Sequence, residues 1–468
     1  MSFTSPVYLI FLAIVWLLYW QLNRRGQNIL IVCASFTFYG WWDWRFLALL
    51  ITTTGIDYAV ALVMGHEQDR RHRQRWLLVS LVSNLGALGF FKYFNFFSVQ
   101  LAHLLTTFGL NADPILLRVI LPLGISFYTF QALSYTIDVY RGRMQPVRDV
   151  VQYFCFISFF PHLVAGPINF AKDLLQQFKQ ERRFDQNEAA EGARQILFGY
   201  FKKMVVADNL APLVNAAYGN ITHATAGQLL LATYGFAFQI YCDFSGYTDI
   251  AIGSAKLFNL HLMRNFADPY FAQSIPDFWR RWHISLSTWF REYVYISLGG
   301  NRVGKSRQAF NIAIVFLLSG LWHGANWTFV VWGALHGFFY LCSWFLLPRA
   351  SDEESSGFIQ IIRILFTFHL VCFAWIFFRA PSLGDAWMVV TKISSGLMIH
   401  LSPSAVQIKL LLLALAVCLF EWISRRRVLA FNVARWHPFA RWAFYYGIVL
   451  IVIAYANLHY VPFIYFDF

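Results

Sequence analysis

The chain has 468 residues, of which 58% are hydrophobic, 19% are aromatic and only 13% are charged, and its mean hydropathy is +0.50. Soluble domains carry about 25% charged residues, so this composition excludes an ordinary soluble protein. The net charge of +13 would suit a nucleic-acid-binding protein, but the Lys and Arg residues cluster between apolar segments. We therefore predict an all-α, polytopic integral membrane protein.

Apolar segments that approach the thickness of a bilayer recur along the whole chain. A transmembrane helix needs about 20 largely apolar residues. The candidate spans lie near residues 5–21, 28–42, 45–64, 76–98, 115–138, 150–165, 192–207, 226–250, 308–322, 326–347, 358–379, 406–424 and 441–460. Because several of them are too short or too polar to cross alone, we expect roughly ten to twelve transmembrane helices, together with re-entrant and amphipathic helices.

Internal repeats with a period of about 20–50 residues are not visible, so we predict a single membrane-embedded domain over residues 1–468. N-terminal spans occupy residues 1–148, a motif-bearing core occupies residues 149–347, and C-terminal spans with an aromatic tail occupy residues 358–468. The polar run Ser351–Gly357 is the loop that we expect between the core and the C-terminal spans.

Clusters of basic residues mark alternate loops. They occur at residues 24–25, 66–75 and 141–148, after the first, third and fifth candidate spans. Positively charged loops stay in the cytoplasm, so this pattern places the N-terminus outside. The last cluster, at residues 425–441, makes the final loop cytoplasmic and therefore places Phe468 outside as well.

Two carboxylates, Asp243 and Asp249, stand in an otherwise apolar segment. Carboxylates at membrane depth can relay protons. They can equally pair with Arg264, Arg280 or Arg281 and hold helices together. We favour the structural role for both carboxylates, and the relay stays the alternative.

The segment Pro276–Tyr293 is predicted to be an amphipathic helix with one aromatic face. His283 is the one ionisable residue on that face, where it needs a hydrogen-bond partner. The residues alone leave two interpretations open. One is an interfacial helix with an incidental histidine, and the other is a histidine placed for chemistry.

The segment Gly299–Ser306 matches the phosphate-binding pattern G-x-x-x-x-G-K-[ST]. That pattern needs a βαβ setting, whereas apolar membrane segments flank it here. A basic cytoplasmic loop is the better interpretation, and Arg302, Lys305 and Arg307 could attract an anionic donor to it.

His323 lies in the segment Ser319–Asn326, between Gly320 and Gly324 and between two apolar runs. An ionisable residue at that depth is a functional candidate, and a neutral histidine can act as a general base. The flanking glycines would let backbone or substrate approach closely. The alternative is a core histidine that is bonded to a backbone carbonyl, which is how we interpret His336 one span later.

Seven motifs, in order along the chain, resemble those of the membrane-bound O-acyltransferase family, in particular its bacterial polysaccharide O-acetylation branch, which includes alginate O-acetyltransferase. They are Leu121–Tyr128, Phe160–Pro167, Asp243–Asp249, Phe278–Ser287, Leu298–Arg302, Gly320–Asn326 and Pro462–Phe468. The resemblance implies a helical bundle around a membrane tunnel, with His323 as the catalytic histidine and His283 as the second histidine of the centre. Asp243, Asp249 and Asn326 are supporting candidates within these motifs.

The resemblance also implies a reaction. The protein would take an acetyl group from a cytoplasmic thioester, acetyl-CoA or an acyl carrier protein, and pass it across the bacterial inner membrane. His323 would act as general base, and His283 would position or polarise the reacting group. A periplasmic acetyltransferase, with other subunits of an exopolysaccharide complex, would place the group on an exported polysaccharide such as alginate or cellulose.

Neither a bound cofactor nor a metal site is expected. The alternatives from other classes are a transporter or flippase, whose intramembrane charges would line a substrate path, and a scaffold subunit of a polysaccharide export complex.

The tail Phe463–Phe468 carries four aromatic residues in six positions, which is unusual for a chain terminus. It is either an aromatic anchor at the headgroup layer or a segment that docks the periplasmic partner or folds back to the tunnel mouth. In the second case the hydroxyl of Tyr465 could briefly accept the acyl group, as in covalent catalysis.

Overall fold

The computed structural model describes residues 1–110, 112–164, 166–346, 357–396, 405–424, 436–456 and 463–464. No strand occurs among these residues, and most of them are helical, which confirms the predicted all-α class. The α-helices are α1 (Pro6–Tyr19), α2 (Arg24–Gly40), α3 (Trp44–His66), α4 (Arg70–Leu88), α5 (Phe94–Thr107), α6 (Ile125–Tyr140), α7 (Val150–Ser158), α8 (Phe160–Leu163), α9 (Ala171–Lys179), α10 (Gln186–Tyr200), α11 (Asp208–Tyr218), α12 (Ala226–Leu257), α13 (Ile275–Arg281), α14 (Ile284–Trp289), α15 (Lys305–His323), α16 (Trp327–Leu346), α17 (Gly357–Arg379), α18 (Leu383–Ser395), α19 (Ala405–Ser424) and α20 (Pro438–Tyr455). Short π-helical segments lie at Gly89–Tyr93, Phe201–Ala207 and Phe290–Tyr295, and a 3-10 turn lies at Pro269–Phe271.

Five helical segments among the described residues are long and apolar enough to cross a membrane. They are α3, the run Arg70–Thr107 that includes α4 and α5, residues Trp327–Phe345 of α16, α17 and α20. Two shorter apolar helices, Pro6–Tyr19 and Leu411–Phe420, add to these. A multi-pass membrane protein is therefore confirmed, whereas the predicted number of crossings stays a prediction.

The span predicted near residues 115–138 begins later than expected, because α6 starts only at Ile125. Gly124, directly before it, has a φ of +75°, in the left-handed region. A Cβ atom at this position would lie 2.6 Å from the carbonyl oxygen of Leu163. Only glycine fits both the conformation and the contact, and so the helix begins after it.

Residues 1–196 and 248–263 form one compact unit. Within it, α3, α4 and α6 pack against one another, and α2 and α9 pack against α7. Gly192 and Gly253 also meet closely, since a Cβ atom on Gly253 would lie 2.5 Å from the carbonyl oxygen of Gly192. Backbone contact of this kind needs glycine on both sides.

Residues 197–247 and 264–468 form the other compact unit. Its best-packed pair is the antiparallel hairpin of α15 and α16. A Cβ atom on Gly333 of α16 would lie 2.3 Å from the carbonyl oxygen of Phe316 of α15, so the two backbones touch. This contact holds α15 against α16 about two turns before α15 ends at His323.

Candidate functional site

His323 is the last residue of α15 and lies in an aromatic enclosure. It is only 3% exposed. The rings of Trp322, Trp332 and Phe378 surround it, with centroids 5.0, 5.0 and 5.4 Å from that of the imidazole. The predicted catalytic histidine is therefore held in a buried, aromatic setting.

The glycines on either side of His323 allow the close approach that the sequence suggests. A Cβ atom on Gly320 would lie 2.3 Å from the carbonyl oxygen of Phe329, and one on Gly324 would lie 2.1 Å from the ring of the same residue. Phe329 consequently packs directly over the end of α15. Larger residues at either position would displace it and change the surroundings of the imidazole.

His283 lies at a break in the chain, so the prediction of one continuous helix over Pro276–Tyr293 is wrong. Helix α13 ends at Arg281, Trp282 is extended, and α14 begins at Ile284. At the break, His283 has φ 44° and ψ 54°, in the left-handed region. That conformation costs a residue with a Cβ atom about 1–2 kcal/mol, so other contacts must stabilise it.

Asn265 supplies these contacts. Its backbone oxygen accepts the N–H of Ile284 at 2.9 Å. Its side-chain Oδ1 accepts the backbone N–H of Ser285 at 3.2 Å and the Ser285 hydroxyl at 2.9 Å, and it lies 3.0 Å from Nδ1 of His283. The sequence does not single out Asn265, because no spacing rule connects it to the histidine.

The same contacts decide which nitrogen of His283 carries the proton. A backbone N–H can only donate, so the atom of Asn265 that faces it must be the oxygen. The Nδ1 atom of His283, which faces the same oxygen, must then be protonated. Burial lowers the pKa of His283 to about 3, so the ring is neutral and its Nε2 is the basic nitrogen.

Trp322 connects the two histidines. Its ring lies 5.0 Å from that of His323 and 6.0 Å from that of His283, centroid to centroid. His283 is fully buried, like its neighbour Phe244, whose ring lies 4.7 Å away. Both predicted histidines therefore contact the ring of Trp322.

A cavity of about 620 Å³ lies beyond the end of α15. Asn326, a predicted supporting residue, lines it and also caps α16: its Oδ1 accepts the N–H of Thr328 and its Nδ2 donates to the Pro381 carbonyl, both at 3.1 Å. The other charged or amide-bearing side chains of the wall are Lys203, Asp208, Asn215, Gln239, Asp243 and Arg379. The wall can accordingly donate and accept hydrogen bonds and hold charge.

The structure pairs Asp243 with a lysine and not with any of the predicted arginines. Lys203 lies between Asp243 and Asp208, with its Nζ atom 2.6 and 2.7 Å from their oxygens, and its side chain is 1% exposed. Arg280 and Arg281 instead pair with Asp277 on their own helix. A lysine on a separate helix cannot be matched to its carboxylates by sequence spacing alone.

Asp249 lies in the other compact unit, where its Oδ1 accepts a hydrogen bond from Gln195 at 3.0 Å. The structure therefore gives Asp243 and Asp249 separate surroundings, and the predicted roles of both stay predictions.

The described part of the tail, Phe463 and Ile464, is buried in the unit that holds the histidines. The backbone N–H of Ile464 donates to Oδ2 of Asp243 at 2.7 Å, and Ile464 lines the cavity. The ring of Phe463 lies 4.5 Å from Tyr247 and 5.5 Å from Phe244. These two residues therefore do not form an anchor at a lipid surface, and Tyr465 lies outside the described residues.

A second cavity, of about 510 Å³, runs along α15 from Gln308 to Ser319. Ser319 lies about one helical turn before His323. Aromatic residues form much of this wall, and two arginines, Arg280 and Arg291, contribute to it.

Arg302, Lys305 and Arg307, the predicted donor-attracting residues, are exposed around the start of α15. A helix rises about 1.5 Å per residue, so Lys305 lies about 27 Å from His323 along the axis. These three residues do not line either of the two cavities. Any effect that they have on a donor is therefore exerted at the far end of the helix.

Two buried histidines, His323 at the end of α15 and His283 in the turn before α14, contact the ring of Trp322, and one cavity lies along α15 and another beyond its end. The sequence profile of the membrane-bound O-acyltransferase (MBOAT) family matches residues 81–380 of the chain. The chain belongs to this family and is an O-acyltransferase.

Individual relatives agree with the family. The protein of Azotobacter vinelandii named probable alginate O-acetylase AlgI is 42% identical, over 84% of this chain and 78% of its own. The peptidoglycan O-acetyltransferase of Helicobacter pylori is 37% identical, over 86% of this chain and 82% of its own. The teichoic acid D-alanyltransferase of Bacillus subtilis is 30% identical, over 55% and 68% respectively.

Proposed function

We propose that the chain passes acetyl groups from a cytoplasmic thioester, acetyl-CoA or an acyl carrier protein, across the bacterial inner membrane for O-acetylation of an exported polysaccharide. The observation that supports this most is the pair of cavities on α15. One runs along the helix up to Ser319, and the other begins at Ala325. A donor in the first and an acceptor in the second would meet at His323.

In the proposed reaction, His323 takes the proton of the acceptor hydroxyl while the hydroxyl oxygen attacks the thioester carbonyl carbon. The new C–O bond forms, the C–S bond breaks, and the proton passes from His323 to the leaving sulfur. His283, held by Asn265, positions or polarises the reacting group. The aromatic rings around His323 keep water from the thioester, which would otherwise hydrolyse.

The donor would enter from the basic side of the molecule. Arg280 and Arg291 line the cavity along α15, and Arg302, Lys305 and Arg307 are exposed near the start of that helix. Both acetyl-CoA and carrier proteins are anionic, so positive charge would attract them. This orientation puts the N-terminus and the C-terminus of the chain in the periplasm, and the donor is acted on directly, without a bound cofactor.

The acceptor is proposed to be alginate, with cellulose as the second choice. The support is the identity of 42% to the alginate O-acetylase relative, against 37% to the peptidoglycan O-acetyltransferase. A periplasmic acetyltransferase and other exopolysaccharide subunits are the proposed partners. A transporter would instead tolerate loss of His323 better than loss of Asp243 and Asp249, and in a scaffold subunit loss of either histidine would matter little.

The decisive variant is His323→Ala. It should abolish acetylation of the exported polymer, because the general base is gone, while the protein still inserts into the membrane. Acetyl content of the secreted polymer and protein content of the membrane fraction are the two measurements. His223→Ala, at an exposed histidine of the same unit, is the matched control and should acetylate normally. Normal acetylation by His323→Ala would remove this residue from the mechanism.

Tyr465 is proposed as an acyl relay, and the burial of the neighbouring Ile464 in the cavity wall supports the idea. Tyr465→Phe keeps the ring and removes only the hydroxyl that would carry the ester. A relay predicts loss of polymer acetylation while thioester consumption continues. Wild-type acetylation by this variant would end the relay proposal and leave docking of the partner, which deletion of residues 465–468 would test by co-purification.

A further inference from the structure

One membrane-buried carboxylate takes no part in the proposed reaction. Asp57 lies on α3 in the unit of residues 1–196 and 248–263, and it is 0% exposed. Its Oδ1 lies 2.6 Å from the Ser80 hydroxyl, and the Asn84 amide nitrogen lies 3.0 and 2.8 Å from its two oxygens. Both partners are on α4 and both are neutral.

Asp57 lies deep in the helical bundle. It stands nine residues before the end of α3 at His66, and Ser80 stands ten residues after the start of α4 at Arg70. At 1.5 Å per residue, both are about 14–15 Å from that end of the helix pair. The hydrocarbon core of a bilayer is about 30 Å thick, so Asp57 lies near its middle.

Among the described residues, no lysine or arginine forms an ion pair with Asp57. The titratable groups that face it are Tyr135 of α6 and Tyr153 of α7, and neither can supply a positive charge. Arg73 of α4 donates instead to backbone carbonyls at the end of α6. An ionised carboxylate left without a cation in an apolar interior is strongly unfavourable.

The hydrogen bonds around Asp57 can accept the proton of a neutral acid. The chain runs from Oδ1 of Asp57 to the Ser80 hydroxyl, from there to the Thr136 hydroxyl at 3.1 Å, and on to the carbonyls of Ala132 and Leu133 at 3.4 and 3.3 Å. Each hydroxyl donates once and accepts once in this direction, and the chain ends on backbone oxygen. No atom of the chain has to move for the acid to be satisfied.

We propose that Asp57 is a proton-binding site, occupied in the folded protein, at the junction of α3, α4 and α6. The bound proton removes the charge that the neutral surroundings do not compensate. Asp243 is the natural contrast, because Lys203 supplies a cation 2.6 Å from its buried carboxylate.

Infrared spectroscopy of the purified full-length protein in lipid at neutral pH tests this directly. A carboxylic acid has a C=O stretching band that a carboxylate lacks. We expect that band in the wild type and its loss in Asp57→Asn, whereas Asp243→Asn leaves it unchanged. Ser80→Ala keeps the acid and gives a second, independent measurement. The acid loses its hydrogen-bond acceptor in this variant, so its band shifts to higher wavenumber.

Three results would overturn the proposal. The first is a wild-type spectrum without a band that Asp57→Asn removes, because Asp57 would then be ionised. The second is a band that appears only when sodium is replaced by choline, since the site would then bind a metal cation in place of the proton. The third is a band that Ser80→Ala leaves at the wild-type position, because the hydrogen-bond chain would then not hold the acid.

Discussion

His323 and His283 contact the same indole ring, yet the chain brings them there in different ways. His323 ends a regular nineteen-residue helix, and its position follows from the helix and the glycines around it. His283 sits in a left-handed turn between two short helices and depends on Asn265. The first histidine is placed by secondary structure and the second by one side chain, so they should respond differently to mutation.

Substitution of His283 itself is expected to have the largest effect on activity in this comparison of the two histidine sites. His283→Ala should lower the rate of polymer acetylation by about 100-fold, at the lower end of what a positioned acid–base group contributes. His283→Gln should retain more activity if the role is hydrogen bonding, because its amide can still donate to Asn265. Equal and complete loss in both variants would favour an obligatory proton carrier, and full activity in both would make the histidine incidental.

A smaller loss is expected when the support of His283 is removed. Asn265→Ala leaves several buried donors without an acceptor, which costs about 1–3 kcal/mol in stability. Acetylation should fall by less than in His283→Ala, because the imidazole is still present but poorly held. Asn265→Asp keeps the acceptor oxygen and is the matched control. The acetylation activity of Asn265→Asp should depend on pH, because a carboxylate beside the His283 ring favours the protonated imidazole.

The kinetics and stability of Asn265→Ala test whether this one side chain holds His283 in place. Asn265 is a positioning residue, so its loss should lower the maximal rate more than it weakens binding of the donor. Unchanged kinetics in Asn265→Ala, with unchanged thermal stability, would show that His283 is held by other contacts. The comparison between a histidine placed by a helix and one placed by a side chain would then fail.

The same contrast explains what could be read from the sequence. Hydrophobic composition predicts the membrane class, and the glycines beside His323 predict close packing at that site. A regular aromatic stripe over Pro276–Tyr293 also predicts one helix, which is wrong, because the contacts of Asn265 outweigh local helical preference at His283. Long-range pairs such as Lys203 with Asp243 leave no periodic signal in the sequence. The local pattern around each residue predicts its own helix and contains no information about its distant partner.

The smallest expected effect compares glycine with alanine at each histidine. At position 283 the backbone is left-handed, so His283→Gly should be more stable than His283→Ala by about 1 kcal/mol. At position 323 the residue is helical, and glycine costs more than alanine there by up to about 1 kcal/mol. The order of the two variants should therefore reverse between the sites, as measured by thermal unfolding of the purified proteins. All four variants lack the imidazole, so their differences report the backbone alone. The same order at both sites would mean that His283 does not occupy the left-handed turn.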